Sequence, residues 1–140
     1  MATEQKIVFK MKDVPYLQSP DKTMRDQVMI TEDTCGAQQY TAGFFWMKPG
    51  TVGGTDYHPG KEEIFYVFEG RGKLFIDDVP YDVETGDVAF IPDGARHYMT
   101  NEYEGRLGLF WAVAAKWSDL PAIQEALGKW DVIELGSPWE

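Results

Sequence analysis

The sequence contains one cysteine, two histidines, and 13 Lys and Arg against 23 Asp and Glu in 140 residues. Each shortage excludes something. Cys35 alone forms no internal disulfide and supports no cysteine-based zinc site, so any metal must be held by histidine and carboxylate. A net charge of −10 argues against nucleic acid or an anionic membrane as partner, because phosphate contacts need clustered Lys and Arg. No apolar run approaches the roughly 20 residues of a membrane span. The first residues, Met1 to Lys6, lack the apolar core of a signal peptide, so a cytoplasmic address is expected. What is present is a foldable chain. Leu, Ile, Val and Phe make up 32 of the 140 residues, too many for a disordered segment, and the length suits a single domain over residues 1–140.

From about residue 25 to residue 115, short apolar runs alternate with Gly, Pro, Asp and Asn, a β pattern. Tyr40 to Lys48 stops at Pro49-Gly50, Glu63 to Phe68 ends at Glu69-Gly70, and Lys73 to Ile76 runs into Asp77-Asp78. Asp87 to Ile91 is bounded by Gly86 and Pro92, and Arg106 to Ala114 reads as a further apolar strand. Many short strands at near-regular spacing predict a sandwich or small barrel. Residues 1–24 form an N-terminal arm, with a strand expected at Ile7 to Met11 and extended chain at Val14-Pro15-Tyr16; such arms often pair with a partner subunit. Residues 116–140 form a tail. There Ser118 is the expected N-cap, Pro121 lies in the first turn, and Leu120, Ile123 and Leu127 recur at helical spacing before Gly128. Trp130 to Leu135 is expected to add an edge strand.

Both histidines lie in turn-flanked β segments. Asp56 and His58 are two apart, which on a strand places them on one face, and Pro59-Gly60 turns the chain so that Glu63 can lie beside them. The second segment ends a strand at Pro92, turns through Asp93-Gly94 and re-enters with His97. Two imidazoles and one or two carboxylates converging inside a barrel make an N/O site for a divalent transition metal.

At these residues the chain resembles the cupin superfamily. The first family motif, Gly-x5-His-x-His-x(3,4)-Glu-x6-Gly, reads here Gly50-x5-Asp56-x-His58-x4-Glu63-x6-Gly70, with Asp56 in place of the first histidine. The second, Gly-x5-Pro-x-Gly-x2-His-x3-Asn, is met in full by Gly86, Pro92, Gly94, His97 and Asn101. The resemblance implies an all-β double-stranded β-helix (jelly-roll) barrel, to which the tail adds a short C-terminal helix, and a homodimer. It implies metal ligands at His58, Glu63 and His97, with Asp56 in the slot of the missing histidine, there to coordinate directly, act through water, or miss the ion. The ion would be one of Mn, Fe(II), Co, Ni or Zn.

The function expected from these residues is metal-dependent chemistry on a small oxygen-rich metabolite, of isomerase, lyase or cyclase type. Asp56 or Glu63 would move a proton beside a polarised oxygen. Two alternatives stand beside it: an Fe(II) dioxygenase built on two histidines and one carboxylate, and a non-catalytic metabolite- or sugar-binding module. Strand alternation puts Phe65 on the face of Glu63 and Met99 on that of His97, and Trp46 and Tyr98 are further candidates for substrate contact. Glu62 is expected to be a solvated charge.

Overall fold

The computed structural model describes residues 5–137 and residue 139. Its strands are β1 (Tyr16–Gln18), β2 (Met24–Ile30), β3 (Thr41–Met47), β4 (Thr51–Val52), β5 (Glu63–Glu69), β6 (Arg71–Ile76), β7 (Val79–Glu84), β8 (Val88–Ile91), β9 (His97–Asn101), β10 (Leu107–Val113) and β11 (Asp131–Ile133). They form a large antiparallel sheet in the order β11-β1-β2-β3-β10-β5-β8 and a smaller one in the order β4-β9-β6-β7. Two short helices, α1 (Glu32–Cys35) and α2 (Pro121–Leu127), lie outside the sheets.

Local chemistry explains the strand ends. Asp77 and Asp78, both at positive φ, connect β6 to β7 as a two-residue hairpin whose twist matches the flanking strands. Pro80 falls in β7, an edge strand, where a missing N–H breaks no ladder. Gly70, between β5 and β6, has φ +75°, and a Cβ there would collide with the Arg106 carbonyl oxygen. Only glycine fits. Along β5 the side chains alternate, with Glu63, Phe65 and Val67 buried and Ile64 and Tyr66 exposed, as a sheet with one covered face requires. Met47, Val67, Leu74, Leu107, Leu109 and Val113 make up the most buried part of the core between the sheets.

Asn101 explains the last position of the second motif. Its buried amide donates to the carbonyls of Met47 and Gly105 while its Oδ1 accepts from the Tyr103 N–H, which ties the β9–β10 turn to the end of β3.

Two expectations from the sequence are corrected. Ile7 to Met11 is not a strand: Ile7 and Val8 are exposed without ladder partners, and a single 3-10 turn follows at Met11–Asp13. The arm is held instead by the buried Gln27 side chain, which donates to the carbonyls of Met11 and Val14. Its strand β1 pairs with β2 on one side and β11 on the other, so its edges are filled by its own chain. Ser118 does not cap α2. It sits in a 3-10 turn at Trp117–Asp119, its N–H donating to the Glu32 carboxylate, and the helix begins at Pro121 after Leu120.

Candidate metal centre and its cavity

The alternation of β5 turns Glu63 inward, and His97 opens β9 on the facing sheet. The chain between β4 and β5 carries Asp56 and His58. There the backbones of Asp56 and His97 exchange two hydrogen bonds, N–H to carbonyl at 2.8 and 3.0 Å. This isolated bridge holds the shorter aspartate next to the second histidine. A second clamp joins the two motif turns, where the Gly60 N–H donates to the Asp93 carboxylate at 2.8 Å.

The side chains converge. Asp56, His58 and His97 can each offer one ligand atom such that all three lie within 4.8 Å of one another. Atoms bound to one ion at about 2.1 Å stand at most about 4.2 Å apart, so a pair at the 4.8 Å limit would have to close by about 0.6 Å or more. Glu63 Oε1 lies 2.9 Å from His97 Nε2 and 3.8 Å from His58 Nε2. The two imidazoles thus face carboxylates from both the loop and the large sheet.

The hydrogen-bond pattern tests whether these residues suit a cation. His97 Nδ1 lies 3.1 Å from the Ala95 carbonyl, an acceptor that fixes Nδ1 as the protonated nitrogen and leaves a lone pair on Nε2. Glu63 Oε1 and His97 Nε2 are both buried, and despite their closeness neither completes a well-aligned hydrogen bond. Two acceptors so placed need a positive species between them, a metal ion or a proton. The donor set fits a divalent ion.

The electrostatics separate the two imidazoles. Burial, with the neighbouring charges of His97 and Lys61, lowers the pKa of His58 to about 4, so its imidazole is neutral at pH 7. Burial pulls His97 down as well, but the close Glu63 carboxylate, with smaller help from Ala95 and Asp56, carries its pKa above the ordinary value, which favours a proton on Nε2 until a cation takes its place. Burial raises Glu63, partly offset by His97 and reinforced by Asp56. Asp56 is an exposed residue at the rim, yet desolvation still raises its carboxyl, with His97 opposing.

The cluster opens into a cavity of about 280 Å3. Phe65, Tyr98 and Met99 line it, although the Tyr98 ring is stacked on Phe75 at 4.6 Å. Trp46 requires correction: it projects from the opposite face of β3, where its ring packs against Tyr16, Phe44 and Phe68, while its neighbour Phe45 faces the cavity. Glu62 is exposed, as expected. Sequence reasoning missed part of the wall. Ile123, Leu127 and Trp130 close one side from the tail, and Asp26 and Trp111 face inward from β2 and β10. Asp26 is buried, and its pKa is raised well above the ordinary value by that burial, with the Trp111 indole opposing and the charges of Asp56 and Glu63 adding. Strict alternation in β2, where Met24 and Asp26 share a face, was the available signal.

A family model of the cupin domain matches residues 43–113, just over half of the chain. The chain belongs to the cupin family. Among cupin relatives, Protein SchB of Streptomyces halstedii is 32% identical over 111 residues, covering 76% of this chain and 78% of its own. Polyketide synthase CurC of Streptomyces cyaneus is 32% identical over 75 residues, which cover 54% of this chain and 49% of CurC. Among solved structures, a predicted oxalate decarboxylase from Thermotoga maritima superposes with a TM-score of 0.68 at 18% identity, over 78% of this chain and 99% of that one. The two facing antiparallel sheets are the jelly roll of this cupin fold. Among the described residues no helix is long and apolar enough to cross a membrane.

Proposed function

We propose that this cupin is a metal-dependent enzyme that moves a proton next to a carbonyl or hydroxyl oxygen of a small organic substrate, in an isomerase, lyase or cyclase type of reaction. The observation that carries the reading is the convergence of Asp56, His58, Glu63 and His97 on a mostly apolar cavity, with Glu63 Oε1 and His97 Nε2 left without aligned hydrogen bonds. His58, His97 and Glu63 would hold one divalent ion, with Asp56 beside it and unbound. Such an ion supplies Lewis acidity toward a bound oxygen. The neutral His58 and the Ala95-anchored His97 keep their lone pairs aimed into the cluster, and Glu63 balances them from the large sheet. Asp56, at the rim and open to solvent, is placed to take a proton from the substrate and return it. Apolar walls exclude water from the reacting carbon. The name of CurC supports a carbonyl-rich, polyketide-like substrate class. With this reading we carry forward a cytoplasmic homodimer, supported by the exposed cross-strand pairs Ile64–Phe90 and Tyr66–Val88 on the outer face of β5 and β8.

Metal analysis of protein purified without chelator, followed by zinc and manganese titration, tests the reading. Stoichiometric metal, weakened about tenfold or more by Asp56→Asn with the fold intact, is expected. No bound metal and no uptake of any added ion would sink it. Iron with substrate-dependent oxygen uptake would replace it with the dioxygenase that His58, His97 and Glu63 could support. A sedimentation measurement giving a monomer would remove the dimer.

A further inference from the structure

Asp26 and Trp111 come from strands that carry none of the metal cluster, and nothing in the mechanism above uses them. Both line the cavity, at 7% and 5% exposure. Asp26 Oδ1 and the Trp111 Nε1–H neighbour each other, close enough for the indole to oppose the rise of the Asp26 pKa, but without the alignment of a full hydrogen bond, and neither atom has another partner. Buried polar groups ordinarily find partners, because leaving them unpaired costs the full desolvation penalty. Two adjacent groups left without them, facing a cavity, therefore point to a ligand.

The fold brings the pair together on purpose-built ground. Strand β3 lies between β2 and β10, so the indole must cross it to reach Asp26. It crosses at Gly43, where a Cβ would stand 2.9 Å from Trp111 Cζ2. The residues in register with Asp26 on the next two strands, Phe45 and Leu109, are apolar and line the same cavity. The pair is thus a small polar island in an apolar wall.

Its chemistry is one acceptor and one donor side by side. A hydroxyl group is the complement, donating to Oδ1 and accepting from Nε1–H. We propose that Asp26 and Trp111 form a second polar subsite that binds a hydroxyl of the substrate, a phenol or an enol on an apolar body. The inference deepens the proposed function: the substrate then carries oxygen at two separate positions, one at the His58–His97 cluster and one here.

The test uses 2-naphthol and naphthalene as a pair of probes differing in one hydroxyl, measured by equilibrium dialysis against the metal-free protein. Asp26→Leu should weaken 2-naphthol about tenfold or more while leaving naphthalene unchanged, and Asp26→Asn, which keeps the acceptor, should retain most of the affinity. Trp111→Phe reads the donor separately and serves if Asp26→Leu fails to fold. In His97→Ala, 2-naphthol affinity should persist while zinc binding is lost, which separates this subsite from the metal reading. The proposal is overturned if 2-naphthol does not bind the wild-type chain, or if the folded Asp26→Leu binds it unchanged. Parallel losses of both probes in Asp26→Leu, or loss of 2-naphthol affinity in His97→Ala, overturn it as well.

Discussion

The two groups of polar residues that line the cavity are placed by different means. Asp56, His58 and Glu63 come from one short stretch that a Pro-Gly turn folds back on itself, and His97 joins them through a two-bond backbone bridge. Asp26 and Trp111 are distant in sequence and meet only because β2, β3 and β10 are neighbours and Gly43 leaves room for the indole. One group depends on local chain geometry, the other on sheet register. A one-residue slip of β2 would turn Asp26 to the outer face and leave the metal cluster untouched.

Breaking the locally built group should have the largest effect. His97→Ala removes a proposed ligand that both carboxylates approach, and should weaken zinc or manganese binding by more than the roughly 10- to 100-fold that losing an outer-shell partner costs. Calorimetric titration measures this, and near-normal affinity would refute the ligand assignment. Next comes the register-built group. In Gly43→Ala the new methyl meets the Gln27 carbonyl oxygen and the Trp111 ring; separating β2 from β3 should cost about 3 kcal/mol in urea unfolding. An unchanged midpoint would show that the indole does not cross there.

Protonation sharpens the comparison further. The folded Asp26 carboxyl keeps its proton above the pH at which the unfolded chain gives it up. The folded state therefore binds more protons, and this contribution to stability is present below about pH 4 and lost as pH rises through the folded pKa. Asp26→Asn has no such dependence. It should match wild type near pH 4 and become progressively the more stable of the two as pH rises; parallel stability curves would contradict the burial of this group. The smallest effect is expected from Glu62→Gln, one residue from Glu63 but exposed. Stability should stay within about 0.5 kcal/mol and metal affinity unchanged, and any loss of affinity would mean that the inward carboxylate of this pair has been misassigned.

The same contrast explains what could be read from sequence. The metal cluster was legible because turn residues punctuate it: Gly50, Gly70, Gly86 and Gly94 all take positive φ at strand ends, so their spacing sets which residues meet. The phase of a strand is harder to see. In Phe44-Phe45-Trp46 no polar residue marks the outer face, and Trp46 is nonetheless buried because the arm and Phe68 cover it. In β2 the difficulty is reversed. Arg25, Asp26 and Gln27 are all buried although they alternate in direction, since Gln27 is covered by the arm it pins and Arg25 lies against Gln18 and Tyr16. A run of three polar residues masks the alternation with Met24 that marks the middle one as facing the cavity. The cap of α2 failed for a related reason, because Ser118 answers to Glu32, a partner far away in sequence.

Helix α2 contributes Ile123, Ala126 and Leu127 to the cavity wall, yet none of its own residues is buried. Apart from Ile123, which packs against the core, its sequence is little constrained by the packing of the barrel. Substitutions, insertions or exchange of the rest of this segment can reshape one side of the chamber without disturbing the ligands or the core. On this architecture, a change of substrate would come most readily through α2, which lies between the last strand of the core and the edge strand β11 and belongs to neither sheet.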